Sequence, residues 1–385
     1  MTTSVLTATH ATAFAPISNQ FPTSTATSTA TATATSSATP TSTAPPSIVG
    51  PKIKGPTRPT KQLPQSLIDE ARRHERVPFD PEKHLDIVAP KSIFTMKDIG
   101  LEGQGISATA ASEPFSLFTP EAVNQMRAEI FSQPVLDSCQ YASDFAKNMI
   151  RGFGPRLAPF IFDAWNSPEV LQTVSKIAGI DLVPAIDFDV GHINISIDDV
   201  TAEVVSAHQH TTNGKQGRGD EEDDISAFAW HRDSYPFVCV TMLSDCTGMV
   251  GGETALRTGT GEIMKVRGPA MGTAVVMQGR YIEHQALKAL GGRERISMVT
   301  SFRPRDPMMR DETVLTGVRA ISTLPELYLQ YTQYRLEVLE ERLRLQGRRV
   351  RQREMSGRGL DVAETRKFVQ EQKEFLEAML LELVE

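Results

Sequence analysis

Between Ala185 and Pro304 the chain breaks into eight short stretches rich in Val, Ile, Phe and Thr, each closed by Gly or polar residues. They read AIDFDVGHINISI, ISAFAWHRD, FVCVTMLSD, GETALRT, EIMKVRG, GTAVVMQG, YIEHQALKA and RISMVTSFRP. Short runs of this composition at regular spacing are strands, and many of them in succession make a sandwich or a barrel. Eight strands are the number that a double-sheet jelly roll uses to manage its open sheet edges.

The flanks have a different character. Residues 1–50 are nearly all Ser, Thr, Ala and Pro, and no charged residue precedes Lys52. Such a segment cannot bury enough apolar area to offset the entropy of ordering it, so residues 1–64 are expected to be a disordered tail followed by a basic, Pro-rich linker. The tail is poor in acids but lacks the arginines of a transit peptide. Residues 65–184 are expected to form a helical layer, with helices over Thr119–Phe131, capped by Thr119 with Pro120 in the first turn, and over Asp144–Arg151, Arg156–Trp165 and Pro168–Ala178. A polar insertion, about residues 198–224, interrupts the strands and reads as a solvated loop, with a mobile lid as the alternative. Residues 320–385 are expected to form a helical hairpin. Thr323 and Glu326 make a capping-box signature, and Leu329, Leu336, Leu339 and Leu343 follow at heptad-like spacing. A second helix starting at Asp361, with Glu364 three residues on, should bury Phe368, Phe375, Met379 and Leu383. The hairpin packs on the strands or on a second copy of the chain, so a homodimer through these helices is one of the two arrangements left open.

The net charge of −7 argues against a nucleic-acid partner, and the Arg-rich link between the two helices reads as a solvated face. Cys139, Cys239 and Cys246 are widely spaced, so neither a disulfide framework nor a cysteine metal site is expected, and a reducing compartment, cytoplasm or nucleus, fits. No apolar run is long enough to span a membrane.

The chemistry centres on Trp230, His231, Arg232 and Asp233. On an extended strand, residues i and i+2 point to the same face, so His231 and Asp233 can reach one point in space. His284 follows 53 residues after His231, on another expected strand. Two imidazoles and one carboxylate on one face of an octahedral ion leave three positions open, as non-haem Fe(II) oxygenases require. An HxD pair alone is weak, since such pairs recur by chance. A second pair strengthens it: Arg295 and Ser297 are again i and i+2, and lie shortly after His284. A guanidinium fork with a hydroxyl beside it suits a carboxylate. Arg293 shares the parity and is the alternative for that role.

The pattern HRD, GGETAL, GTAVVMQG, RYIEH and RERIS resembles the 2-oxoglutarate/Fe(II)-dependent dioxygenase superfamily, the double-stranded β-helix oxygenases, with its nearest likeness among fungal members. The resemblance covers about 185–304, less than half of the chain. It implies an α+β fold with a jelly-roll, cupin-like core over residues 185–307. It also implies Fe(II) held by His231, Asp233 and His284, with 2-oxoglutarate bound by Arg295 and Ser297, and O2 as oxidant. Asn194 is the matching polar contact to the co-substrate, although Asn194-Ile195-Ser196 stands where a common family pattern has Asn-x-Tyr. Retention of Asp233 implies hydroxylation rather than halogenation of an organic substrate, with release of succinate and CO2. A small-molecule substrate is favoured over a protein. Two alternatives stay open: a non-catalytic scaffold on the same strands, and an Fe(II) oxygenase that does not use 2-oxoglutarate.

Other residues have plainer readings. His208 and His210 have ligand-like spacing but sit in the polar insertion. His192 reads as a core histidine that could line the pocket. Trp230 reads as core, Gly251 and Gly252 as a turn, and Arg280 and Tyr281 as packing residues or part of the site's mouth.

Overall fold

The computed structural model describes residues 57–60, 62–143, 147–197, 230–266, 270–287, 289–290 and 294–385. The Ser/Thr-rich tail, the insertion at 198–224 with His208 and His210, and Arg293 lie outside them.

In chain order the elements are α1 (Gln65–Ala71), α2 (Pro81–His84), β1 (Ile93–Thr95), β2 (Thr109–Ser112), β3 (Phe115–Ser116), α3 (Pro120–Ile130) and α4 (Gln133–Cys139). Then come β4 (Gln140–Tyr141), β5 (Met149–Ile150), α5 (Gly154–Leu157), α6 (Pro159–Asn166), α7 (Pro168–Ala178), β6 (Leu182–Pro184) and β7 (His192–Ser196). The second half runs β8 (Phe237–Met242), β9 (Val250–Gly251), β10 (Thr254–Arg257), β11 (Ile263–Val266), β12 (Thr273–Met277), β13 (His284–Ala286), β14 (Ala289–Leu290) and β15 (Arg295–Pro304). It ends with α8 (Leu324–Met355) and α9 (Val362–Glu382).

The fold is α+β, built on a ten-stranded sheet of order β1-β2-β12-β8-β15-β7-β5-β4, with β3 added at β12 and β6 at β15. A three-stranded sheet, β11-β10-β13, and a two-stranded one, β14-β9, complete it. Val238, Met277, Ala110 and Ala111 of the large sheet share one apolar cluster with Leu256 and Val266 of the three-stranded sheet. The two sheets therefore face each other. Among the described residues they remain separate ladders and do not close into a barrel.

The long strand β15 organises the large sheet. It pairs antiparallel with β7, β8 and β6. Its residues alternate between faces, as the pleat demands. Ile296, Met298 and Phe302 join the core formed with α3, α6 and α7, where Trp165 is fully buried. The Trp165 indole N–H lies 3.1 Å from the Met298 sulfur, and its ring meets Phe302 edge-on. Burying each such side chain contributes about 1.5–3 kcal/mol, which makes this layer the main source of stability for the sheet.

Local signals place the covering helices. Thr119 caps α3 by accepting from Ala122 N, and Ser167 caps α7 by accepting from Val170 N. Gly179, at φ 73°, ends α7 in the left-handed conformation that glycine adopts without strain. The buried Glu129 carboxylate takes hydrogen bonds from Phe160 N and Ile161 N, both at 3.0 Å, and so binds α3 to the start of α6. Arg127 of α3 pairs at 3.1 Å with Glu294, the residue before β15.

Several expectations need correction. Residues 65–184 supply six strands as well as helices. The helix expected over Asp144–Arg151 does not form: Met149 and Ile150 pair with Asn194 and Ile193 at the sheet margin. The helix expected over Arg156–Trp165 is broken at Ala158, where Pro159 starts α6 anew. The stretch AIDFDV is not extended throughout, since Asp187–Asp189 form a 3-10 turn. Thr323 does not cap α8 with its side chain; its hydroxyl instead lies 3.1 Å from the Tyr141 hydroxyl. The hairpin does form, and α9 is capped by the Asp361 carboxylate on Glu364 N. It buries Phe368, Phe375 and Met379 as expected, but α8 turns Leu327, Tyr331, Tyr334 and Val338 inward, not its leucine stripe. Leu329, Leu336 and Leu343 are exposed. The three cysteines are buried and form no disulfide. Among the described residues, no helix is long and apolar enough to cross a membrane.

Candidate metal centre

His231 and His284 come from distant parts of the sequence and meet as a hydrogen-bonded antiparallel pair. His231 N donates to His284 O and His284 N to His231 O, each at 2.9 Å. This bridge adds the HxD segment to the edge of the three-stranded sheet beside β13 and brings the two rings to 4.4 Å between centroids. Asp233 N donates to Gly279 O at 3.0 Å, which fixes the third side chain over the same spot.

The donor atoms converge. His231 Nε2 lies 3.8 Å from Asp233 Oδ1, and His284 Nε2 lies 3.5 Å from Asp233 Oδ2. One ligand atom from each residue falls within 4.8 Å of the others, a spacing that suits one ion. His284 Nδ1 is 2.9 Å from Ile282 O. A backbone carbonyl only accepts, so this contact makes Nδ1 the protonated nitrogen and turns the lone pair of Nε2 towards the cluster. Asp233 Oδ2 is buried with no hydrogen-bond partner. A buried carboxylate oxygen without a partner is costly, and a cation placed there would remove the cost.

Sequence reasoning missed Gly279. A Cβ at that position would come within 1.8 Å of Asp233 Oδ2, so only glycine leaves room for the carboxylate. As a sequence feature it is indistinguishable from a turn glycine after β12.

The expected co-substrate residues share one face. Ser297 pairs with Asn194 across β15 and β7, and Arg295 with Ser196, so all four side chains stand on the side of the large sheet turned away from the helices. Arg295 is buried. Its Nη1 is 3.4 Å from Ser297 Oγ and its Nη2 3.3 Å from Gly252 O, and its Nε has no acceptor. Gly252 leads into β10, the strand that pairs with β13 and so with His284. Arg295 thus reaches across from the large sheet to the sheet that carries the metal ligands. Burial pushes its pKa down, a sign that the cation lacks compensation. Gly252, at φ +76°, is a turn residue as expected, and a Cβ there would crowd Ala289 Cβ at 3.1 Å. The Asn194 amide oxygen is buried without a partner.

A second polar group lies beside the metal ligands and was not anticipated. The fully buried Arg151 binds Asp189 at 2.5 Å, and the Tyr235 hydroxyl donates to the other oxygen of Asp189. Arg151 follows β5 next to its partner β7, and burial together with the Arg151 charge holds the His192 pKa down. Burial, with Asp189 beside it, raises the Tyr235 pKa well above its usual value, so Tyr235 stays a hydrogen-bond donor. Burial also raises the Asp189 pKa, opposed chiefly by Arg151, while Asp233 adds to the rise. Tyr235 continues the parity of His231 and Asp233, a signal that was available in the sequence. Arg151 had none, because its segment reads as helix. His192 is not a satisfied core histidine, since its Nε2 is buried without a partner.

Trp230 is half-buried rather than core, with the Arg257 guanidinium 4.3 Å from its ring. Arg280 and Tyr281 are both buried, and Arg280 Nε donates to Glu312 O.

No protein-family model matches the chain, and no curated protein is similar to it. Solved structures show distant likenesses. An oxidoreductase of the 2OG-Fe(II) oxygenase family from Burkholderia pseudomallei is 15% identical, with a TM-score of 0.28 over 40% of this chain and 65% of that one. The chain therefore spans just under two thirds of that protein's length. A prolyl-4-hydroxylase from Pseudomonas putida is 15% identical, with a TM-score of 0.30 over 57% of this chain and 98% of that one. A prolyl 4-hydroxylase structure from Phytophthora capsici is 12% identical, with a TM-score of 0.33 over 85% and 100%. Overlap this low carries no argument, and the metal centre stands on its own geometry.

Proposed function

We propose that the chain is a non-haem Fe(II)- and 2-oxoglutarate-dependent dioxygenase that hydroxylates a small organic molecule. Its catalytic core is a double-stranded β-helix over residues 185–307, flanked by residues 65–184 and by the hairpin at 320–385. The observation that carries this reading is the convergence of His231, Asp233 and His284, with Asp233 Oδ2 buried and unpaired among them.

The donor set fits Fe(II): two imidazoles and one carboxylate, no thiolate, and an arrangement that leaves coordination positions free. His284 presents Nε2 because Ile282 O holds its Nδ1 proton. Asp233 is kept in place by its backbone bond to Gly279 and by the missing side chain there. Bound at these three residues, Fe(II) would supply the activation of O2, with 2-oxoglutarate as the two-electron reductant.

Arg295 would hold the distal carboxylate of 2-oxoglutarate. Its unpaired Nε and its two long, weak contacts leave donors ready for a planar anion, and an anion would offset the charge that burial leaves uncompensated. Ser297 and Asn194 stand on the same face and complete the polar lining. The Arg151–Asp189–Tyr235 group braces the strand end just beyond Asp233 and keeps that side of the site rigid.

The test is Fe(II)-dependent conversion of 2-oxoglutarate to succinate under O2, followed with and without candidate substrates. Wild-type protein should turn over slowly alone, and Asp233→Ala should not turn over at all. Equal turnover by the two proteins would refute the assignment, and O2 uptake without 2-oxoglutarate would move it to another class of iron oxygenase.

A further inference from the structure

We infer that the outer face of the C-terminal hairpin is a self-association surface through which two copies of the chain form a two-fold dimer. The proposal does not depend on the catalytic reading.

Helices α8 and α9 spend one face each on the rest of the protein. Leu327, Tyr331, Tyr334, Val338, Phe375 and Met379 pack against Ala185, Ile186, Tyr235 and Leu315. Away from that face, Leu329, Leu336 and Leu343 of α8 are 60%, 49% and 53% exposed. Val362, Val369 and Leu376 of α9 are 60%, 59% and 42% exposed, and Leu380 is 76% exposed. In each helix the first three are seven residues apart, close to two turns, so each set forms one straight stripe. Single exposed leucines need no explanation, whereas two continuous stripes do.

The stripes are in step. Arg342 Nη1 reaches Gln372 Oε1 at 3.4 Å, Arg335 Nη2 donates to Phe375 O at 2.8 Å, and the Tyr328 hydroxyl donates to Val384 O at 3.1 Å. These contacts set the register of the antiparallel pair. They place Leu343 beside Val369, and Leu336 beside Leu376, on successive levels of one surface.

Charge selects the occupant. The charged residue inside the α8 stripe is Glu340, one turn from both Leu336 and Leu343, and it also pairs with Arg344 of its own helix at 2.6 Å. Those inside the α9 stripe are Arg366 and Lys373, the latter also 3.4 Å from Glu377 of its own helix. Turning a second hairpin about an axis parallel to the helices lays α8 of one copy over α9 of the other. Leu343 then meets Val369, and Glu340 meets Lys373, on both sides of the axis. Each surface is thus complementary to itself, as an isologous interface requires, and the product is a four-helix arrangement. A stable dimer needs roughly 800 Å² from each partner, a size that two stripes of this length with their polar borders can supply.

The test is the solution mass of the full chain by light scattering over a dilution series. The expected mass is twice the 42.3 kDa of one chain. Leu343→Glu with Val369→Glu places charge only on exposed positions and should give a monomer whose helical circular dichroism is unchanged. Glu340→Lys should weaken the dimer by about tenfold, and adding Lys373→Glu should restore it. A monomeric wild type at every concentration would overturn the proposal, whether its stripes are open or protected from hydrogen exchange by the chain's own residues. A dimer that survives the double glutamate variant would overturn it as well.

Discussion

Along β15, Ile296, Met298 and Phe302 lie against the helices, while Arg295 and Ser297 alternate with them on the face turned to the three-stranded sheet. The same division runs through β7, where Ile193 and Ile195 join the helical core and His192 and Asn194 do not. Neighbouring residues on one strand therefore answer to different demands. The outer face is dominated by apolar side chains, with Thr241 Oγ1 a buried polar atom without a partner among them. The inner face holds polar atoms that lack partners, on His192, Asn194, Asp233 and Arg295. A fold can carry such deficits because a strand separates its two faces at every step, so unfavourable chemistry on one side is offset by packing on the other.

If that separation holds, changes on the outer face should alter stability and leave the metal centre alone. Met298→Ala removes a fully buried side chain that touches Trp165, and should cost about 2–5 kcal/mol in denaturant unfolding while Fe(II) affinity stays within a factor of about three. A large loss of metal affinity in this variant would break the comparison.

Gly279→Ala asks the converse question. Its Cβ would have to displace Asp233 Oδ2, so Fe(II) affinity should fall about 10–100-fold, as for other changes that disturb a ligand's support. The apolar layer is untouched, and the unfolding midpoint should stay close to that of the wild type. Isothermal titration with Fe(II) or Co(II), beside a melt, reads both.

The smallest effect sharpens the contrast through pH. Burial, with Arg151 nearby, holds the His192 pKa well below its ordinary value. Below about pH 6.5 the unfolded chain takes up a proton that the folded chain refuses, so stability should decline as pH falls, by at most about 1.4 kcal/mol per pH unit from this group. His192→Asn should flatten that part of the profile, and Met298→Ala should shift the curve without changing its slope.

The division between faces is legible in sequence because the pleat has a strict period of two. Arg295 with Ser297, and His231 with Asp233, declare it by spacing alone, and β8, β12 and β15 fall where the apolar runs place them. What could not be read depends on pairing between distant segments. Arg151 sits beyond a two-residue strand that pairs on one side with nearby β4 and on the other with β7, more than forty positions away, in a segment whose local pattern is helical. The role of Gly279 exists only once the HxD segment lies over it. In α8 the leucines at heptad spacing were legible as a stripe, but the inward face was not, because tyrosines and arginines line it: Arg335 and Arg342 bury their guanidinium groups over the Phe375 ring.

In the proposed enzyme, the inner face joins an iron site to a carboxylate site. The direct test is an anaerobic visible absorption titration of the purified protein with Fe(II) and then 2-oxoglutarate, repeated with Arg295→Ala. A charge-transfer band that requires both additions, and that needs far more 2-oxoglutarate in the variant, is the expected result. Iron that binds without such a band, or a band that forms equally well without Arg295, would contradict the account.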